Sequence, residues 1–169
     1  LQREDEMMFR IRVGAWLALC ATMLTALPVL AAEKAVNLSL FTPISTAKAD
    51  DAVTAFRINL IYGKNTSVKI VDIGLVNHTT TLSSGLQWGT VNFTEGKVSG
   101  LQLAALNINK GTTGGFQAAG VNYAENAGGL QLAIVNYARK IDGVQIGAIN
   151  IIKEGGFLPV MVIANWSKK

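Results

Sequence analysis

Between Gly85 and Ile151 the chain states one short phrase five times: GLQWGTVNF, GLQLAALNI, GFQAAGVNY, GLQLAIVNY and GVQIGAINI. The phrases open on Gly85, Gly100, Gly115, Gly129 and Gly143, so successive units lie 15, 15, 14 and 14 residues apart. Gln87, Gln102, Gln117, Gln131 and Gln145 hold the third position. Asn92, Asn107, Asn122, Asn136 and Asn150 follow five residues later. Weaker copies extend the pattern to Asn77 (VDIGLVNH) and Asn165 (PVMVIANW), for seven units in all. Self-similarity at a short fixed period marks a repeat architecture, in which no unit buries its apolar residues alone and neighbours must stack.

Within a unit the side chains sort onto two faces only if the alternation breaks once. In GLQLAIVNY, Leu130 and Leu132 oppose Gln131, but unbroken period-two alternation would set Asn136 beside the leucines. A phase flip near Ala133 and Ile134 restores consistency. Leu130, Leu132, Val135 and Tyr137 then share one face, and Gln131 and Asn136 share the other. Gly89, Ala104, Ala119, Ala133 and Gly147 stand at the flip, and small residues suit a tight bend or bulge. Each unit therefore reads as two short strands joined by a corner, with EGKVSG, KGTTGG, ENAGG and RKIDG as turns that absorb the change from 15 to 14. The apolar set is assigned inward as leucine columns. The ten Gln and Asn anchors are assigned outward as an exposed ladder.

The pattern predicts an all-β parallel β-solenoid of seven coils of 14–15 residues. Equivalent coils explain a one-unit period. An antiparallel outer-membrane-type meander or barrel is the alternative, because strands of about ten residues with short turns also fit barrel dimensions. Val36 to Ile44 and Thr54 to Gly63 alternate cleanly and are expected to pair at the start of the array as its cap. Three segments result: residues 1–32 as upstream residues and signal peptide, 33–66 as the strand pair, and 67–169 as the repeat domain.

Arg10 and Arg12 followed by the apolar run from Val13 to Leu24, then Pro28 and Val29-Leu30-Ala31-Ala32, form the pattern of a secretory signal cut before Glu33. The run is short of the roughly 20 residues that span a bilayer as a helix. Cys20 is the only cysteine and lies inside this segment, so residues 33–169 have neither a disulfide nor a thiolate metal site. They carry 12 basic and 8 acidic side chains, too mild a bias for a nucleic-acid partner.

The signal segment, NLSLFTPI at 37–44, FRINLIYG at 56–63, the repeated GLQLxxxN and the closing GGFLPVMVIANW together resemble the uncharacterised surface-repeat proteins of Gram-negative cell envelopes. The resemblance implies an address in the periplasm, outer membrane or cell surface, and no established reaction. Members of that family commonly end near an aromatic residue; here Ser167-Lys168-Lys169 follow Trp166.

Chemistry is sparse. His78 is the one histidine and stands where Phe93 and Tyr123 stand in other units, so it reads as an aromatic substitute. No carboxylate recurs at a fixed repeat position; Asp72 takes the glutamine position once. The expectation is a non-enzymatic exported protein, structural or adhesive, without cofactor or metal. A small outer-membrane barrel is the alternative and a glycan-acting enzyme a remote one. The amide columns admit two uses, as ladders that hold the stack or as a recognition face for an envelope glycan or lipopolysaccharide, with membrane association as a further expectation.

Overall fold

A computed structural model describes residues 32–168, and the signal-like segment lies outside them. Among the described residues there is no helix, and strand order in the single sheet is β2-β1-β3-β4-β5-β6. The strands are β1 (Glu33–Phe41), β2 (Ile44–Ser45), β3 (Ala52–Val68), β4 (Val71–Thr94), β5 (Lys97–Glu154) and β6 (Val160–Trp166). β5 is 58 residues long, far beyond a single strand crossing, because it winds through successive coils without leaving extended geometry. The fold is a parallel β-solenoid of about five turns.

Coil stacks on coil in parallel and in sequence register. β4 pairs with β5 so that Gly85 meets Gly100, Gln87 meets Gln102 and Asn92 meets Asn107. Pairing lapses between Trp88–Leu103 and Val91–Leu106, which is the corner that the phase flip at Gly89 requires. Parallel pairing through the body removes the antiparallel barrel as a description of this chain. β1 and β3 also pair parallel, with Asn37 opposite Arg57, so the N-terminal strands join the stack at its start rather than forming a hairpin.

Both ends depart from the parallel rule. β2 lies antiparallel on β1 through Ser39–Ser45, and β6 lies antiparallel on β5 through Val144–Trp166. The count of seven coils is corrected to about five turns. The unit around Asn165 turns back across its predecessor instead of continuing the helix of coils, so it closes the stack.

The glycine that opens each unit is dictated by the stacking distance. A Cβ on Gly115 would stand 2.0 Å from the Gly100 carbonyl oxygen, and one on Gly129 would stand 2.3 Å from that of Gly115. Gly129 adds a φ of 100°, which a side chain disfavours. Gly115→Ala should therefore destabilise the protein by at least about 2 kcal/mol, measured by urea denaturation. A midpoint unchanged from wild type would show that the coils have slack at this corner.

Candidate functional site

Sorting the side chains by face was correct, but the assignment of faces was inverted. All ten anchors assigned to an exposed ladder (Gln87, Gln102, Gln117, Gln131, Gln145, Asn92, Asn107, Asn122, Asn136 and Asn150) are between 0% and 2% exposed. The apolar columns assigned to the interior lie on the outside: Leu132 is 44% exposed and its counterpart Trp88 57%, while Leu130, Val135 and Tyr137 are half-buried. Hydropathy alone sends leucine inward. The amides win because each hydrogen-bonds to its equivalent one coil away, which removes the penalty of burying a polar group.

The glutamine column is a continuous relay. Gln102, Gln117, Gln131 and Gln145 each donate from Nε2 to the Oε1 of the preceding glutamine, at 2.6, 2.7, 2.8 and 2.8 Å. Gln87 donates to Asp72 Oδ2 at 2.9 Å. An ionised carboxylate only accepts, so Asp72 fixes the direction of every amide above it. Arg57 lies below in the same column and grips Asp72 through Nε–Oδ1 at 2.7 Å and Nη2–Oδ2 at 2.6 Å. Both partners are buried, and Arg57 Nη1 also reaches the His78 carbonyl at 3.0 Å.

The asparagine column runs the other way. Asn59 donates to Asn77 Oδ1 at 2.7 Å, Asn77 to Asn92 at 2.9 Å, Asn92 to Asn107 at 2.9 Å, and the chain continues to Asn150. The second Nδ2 proton goes to a backbone carbonyl of the next coil. Asn77 also donates to the Trp88 carbonyl at 2.9 Å, Asn92 to Leu103 at 3.1 Å and Asn136 to Ile146 at 2.9 Å. Those carbonyls belong to the residue just before the corner, where ladder pairing lapses, and a buried backbone acceptor must find some donor. The acceptor at the open end of each ladder, Gln145 Oε1 or Asn59 Oδ1, has no protein partner among the described residues.

The rest of the interior is mostly small, with Val53, Val68, Val98 and Ile152 as larger buried side chains. Ala124, Ala127 and Ala138 form an apolar cluster with Ile141 packed against it, while Thr79, Ser83, Thr94 and Thr113 fill corresponding places nearer the N-terminus.

Outside, one polar group of a kind that sequence spacing did not reveal crosses three coils. Tyr62 Oη stands 2.7 Å from His78 Nδ1, and His78 Nε2 stands 2.8 Å from Glu95 Oε1. The ionised Glu95 needs a donor, which places the ring proton on Nε2 and leaves Nδ1 to accept from the tyrosine. Phe93 packs edge-on to the His78 ring at 4.7 Å, and Lys110 Nζ lies 5.1 Å from the Phe93 centroid. His78 thus holds the aromatic place expected of it and is also a hydrogen-bond bridge. Burial lowers its pKa against the opposing pull of Glu95, and burial likewise raises that of Tyr62. A tyrosine, a neutral imidazole and a carboxylate in series can pass a proton. The same three groups also tie three coils together. Towards the C-terminal end Tyr123 and Tyr137 stack at 5.1 Å, and Arg139 pairs with Glu125 and, at 3.1 Å, with Glu154.

A groove of about 1040 Å³ lies on the outer face at the N-terminal end, lined by Leu38, Leu40, Ile58, Leu60, Leu75 and Trp88 among others. Among the described residues no group of three or more His, Cys, Asp or Glu is placed to hold a metal ion. No family model matches the chain, and comparison with curated proteins and with solved structures finds no match.

Two measurements test the site as drawn. Gln117→Leu strands the Gln102 acceptor and the Gln131 donor, at roughly 1–3 kcal/mol each, whereas Ile134→Asn on the exposed face should change stability by about 0.5 kcal/mol or less. Equal melting shifts would restore the leucines to the interior. Separately, a histidine held neutral by burial contributes stability that is complete above its unfolded pKa of about 6.5 and is lost as pH falls from there through the lowered folded value. His78→Phe should flatten the fall in stability just below pH ~6.5, read from denaturation midpoints across pH; an unchanged slope would show that His78 is not the group responsible.

Proposed function

We propose that this protein is a non-enzymatic structural protein of the cell envelope, exported and processed before Glu33, that acts as a short stiff rod. One observation carries the reading: both repeated polar columns are buried and hydrogen-bonded to themselves, so the repeat is committed to rigidity. Five turns at ~4.8 Å give a rod roughly 24 Å long. Its outer faces are the repeated leucine, isoleucine and aromatic side chains, and any adhesive contact uses those, since the amides do not reach solvent. Patches of this kind, when contiguous and larger than a few hundred Å², mark interaction surfaces. The Tyr62–His78–Glu95 series serves here as a brace between coils. Export rests on Arg10, Arg12 and the apolar run after them, together with the resemblance to surface-repeat proteins.

Fractionation of the native host with N-terminal sequencing tests the address. The expected result is protein in the envelope fractions beginning at or near Glu33. Residues 1–32 intact on soluble cytoplasmic protein would overturn it. The brace is tested by replacing Tyr62→Phe and His78→Phe together: the double variant should restore envelope integrity to a deletion strain as well as wild type does, and failure despite normal folding would favour a chemical role.

A further inference from the structure

The groove at the N-terminal end is mainly apolar and carries no charge. Its floor is the outward face of five consecutive strand levels, from Ile44 on β2 through Leu40 on β1 and Leu60 on β3 to Leu75 and Trp88 on two passes of β4. None of its sixteen lining residues is titratable. A charged occupant would sit there unpaired, so the charge match is to a neutral one. Sheet N–H and C=O groups lie in the plane of the sheet and point at neighbouring strands. A peptide laid on this face would exchange its water for few hydrogen-bond partners, hydroxyls such as those of Thr46 and Thr90. Area argues against a second copy of the chain. Five levels at ~4.8 Å by about three residues at ~3.3 Å offer roughly 200 Å², against roughly 800 Å² per partner in a stable interface. A hydrocarbon chain needs neither charge nor backbone partners, and about 1040 Å³ lies just above the ~300–1000 Å³ common for small-molecule sites.

We propose that this groove binds a single long, uncharged hydrocarbon chain, the acyl tail of a lipid, lying across the strands from β2 to Trp88 with its head group in solvent. The site does not depend on the export reading, because binding is measured on the purified full chain.

The test displaces the neutral fluorophore N-phenyl-1-naphthylamine with octan-1-ol, decan-1-ol and dodecan-1-ol. Expected are one saturable site per chain and an affinity that rises about fourfold per added methylene. Brominated dodecanol should quench Trp88 fluorescence, and the quenching should vanish in Trp88→Phe. Leu60 is 64% exposed, so Leu60→Glu is expected to fold and should weaken binding by at least about tenfold. Val162→Glu, at a site 68% exposed on β6, should leave it unchanged. Leu75→Gln provides a second groove variant should Leu60→Glu fail to fold by circular dichroism. Four results would overturn the proposal: non-saturable binding, no dependence on chain length, equal binding by the groove variants, or binding seen only with phosphatidylcholine vesicles. Sedimentation showing that the groove variants abolish a dimer, with no alcohol bound by the wild type, would also overturn it and assign the face to a second copy.

Discussion

The structure depends on a side-chain hydrogen bond handed from each coil to the next inside a narrow tube. Glutamine and asparagine suit this because one group carries both a donor and an acceptor, so a column of identical amides satisfies itself at the spacing that the backbone ladder already imposes. A buried column of hydroxyls or carboxylates would lack either the reach or the donor. The bond also locks register. If a coil slipped by one residue, it would carry a leucine into the tube and leave amides above and below without partners, at roughly 1–3 kcal/mol for each orphaned group. The 14-residue and 15-residue units coexist because their difference falls in the turns, where neither amide column passes.

Directionality follows from the ends. The glutamine ladder donates toward the N-terminus and stops at Asp72, which can only accept, and Asp72 is balanced by Arg57 in the same column. The asparagine ladder donates toward the C-terminus and stops where Asn150 turns its Nδ2 to the Gly147 and Met161 carbonyls, at 2.9 and 3.4 Å. Two polarised chains in opposite directions partly cancel their dipoles, and each is strengthened by its own length. Breaking the buried ion pair from one side would leave an uncompensated charge, at about 3–5 kcal/mol. That makes the Arg57–Asp72 pair the anchor of the glutamine ladder. At the other end β6 lies antiparallel across the stack, so no further coil can add in register.

Filling the tube with amides forces the large apolar side chains out. They cover one another along the outer faces, half-buried by their neighbours above and below, and the aromatic row from Tyr62 through His78 to Phe93 shows the same stacking logic in a mixed column. A solenoid of this kind keeps its surface hydrophobic where its neighbours stop. The N-terminal groove is where that surface is concave and uncharged.

The sequence by itself determined the repeat, its period, the corner at the small residue, and the partition of each unit into an amide face and an apolar face. All of these are local consequences of spacing, and the pairing of Gln87 with Gln102 and Asn92 with Asn107 follows from them. It could not determine which face is inside. Hydropathy prices a single side chain against water, whereas an amide's cost is cancelled only by an identical amide on the next coil, 14 or 15 residues away. Nor did it show that Tyr62, His78 and Glu95 meet, since they stand at unlike positions in three different coils, or that the unit around Asn165 would reverse. Those outcomes depend on which backbone groups are still unpaired after the coils have stacked, and only the tertiary structure decides that.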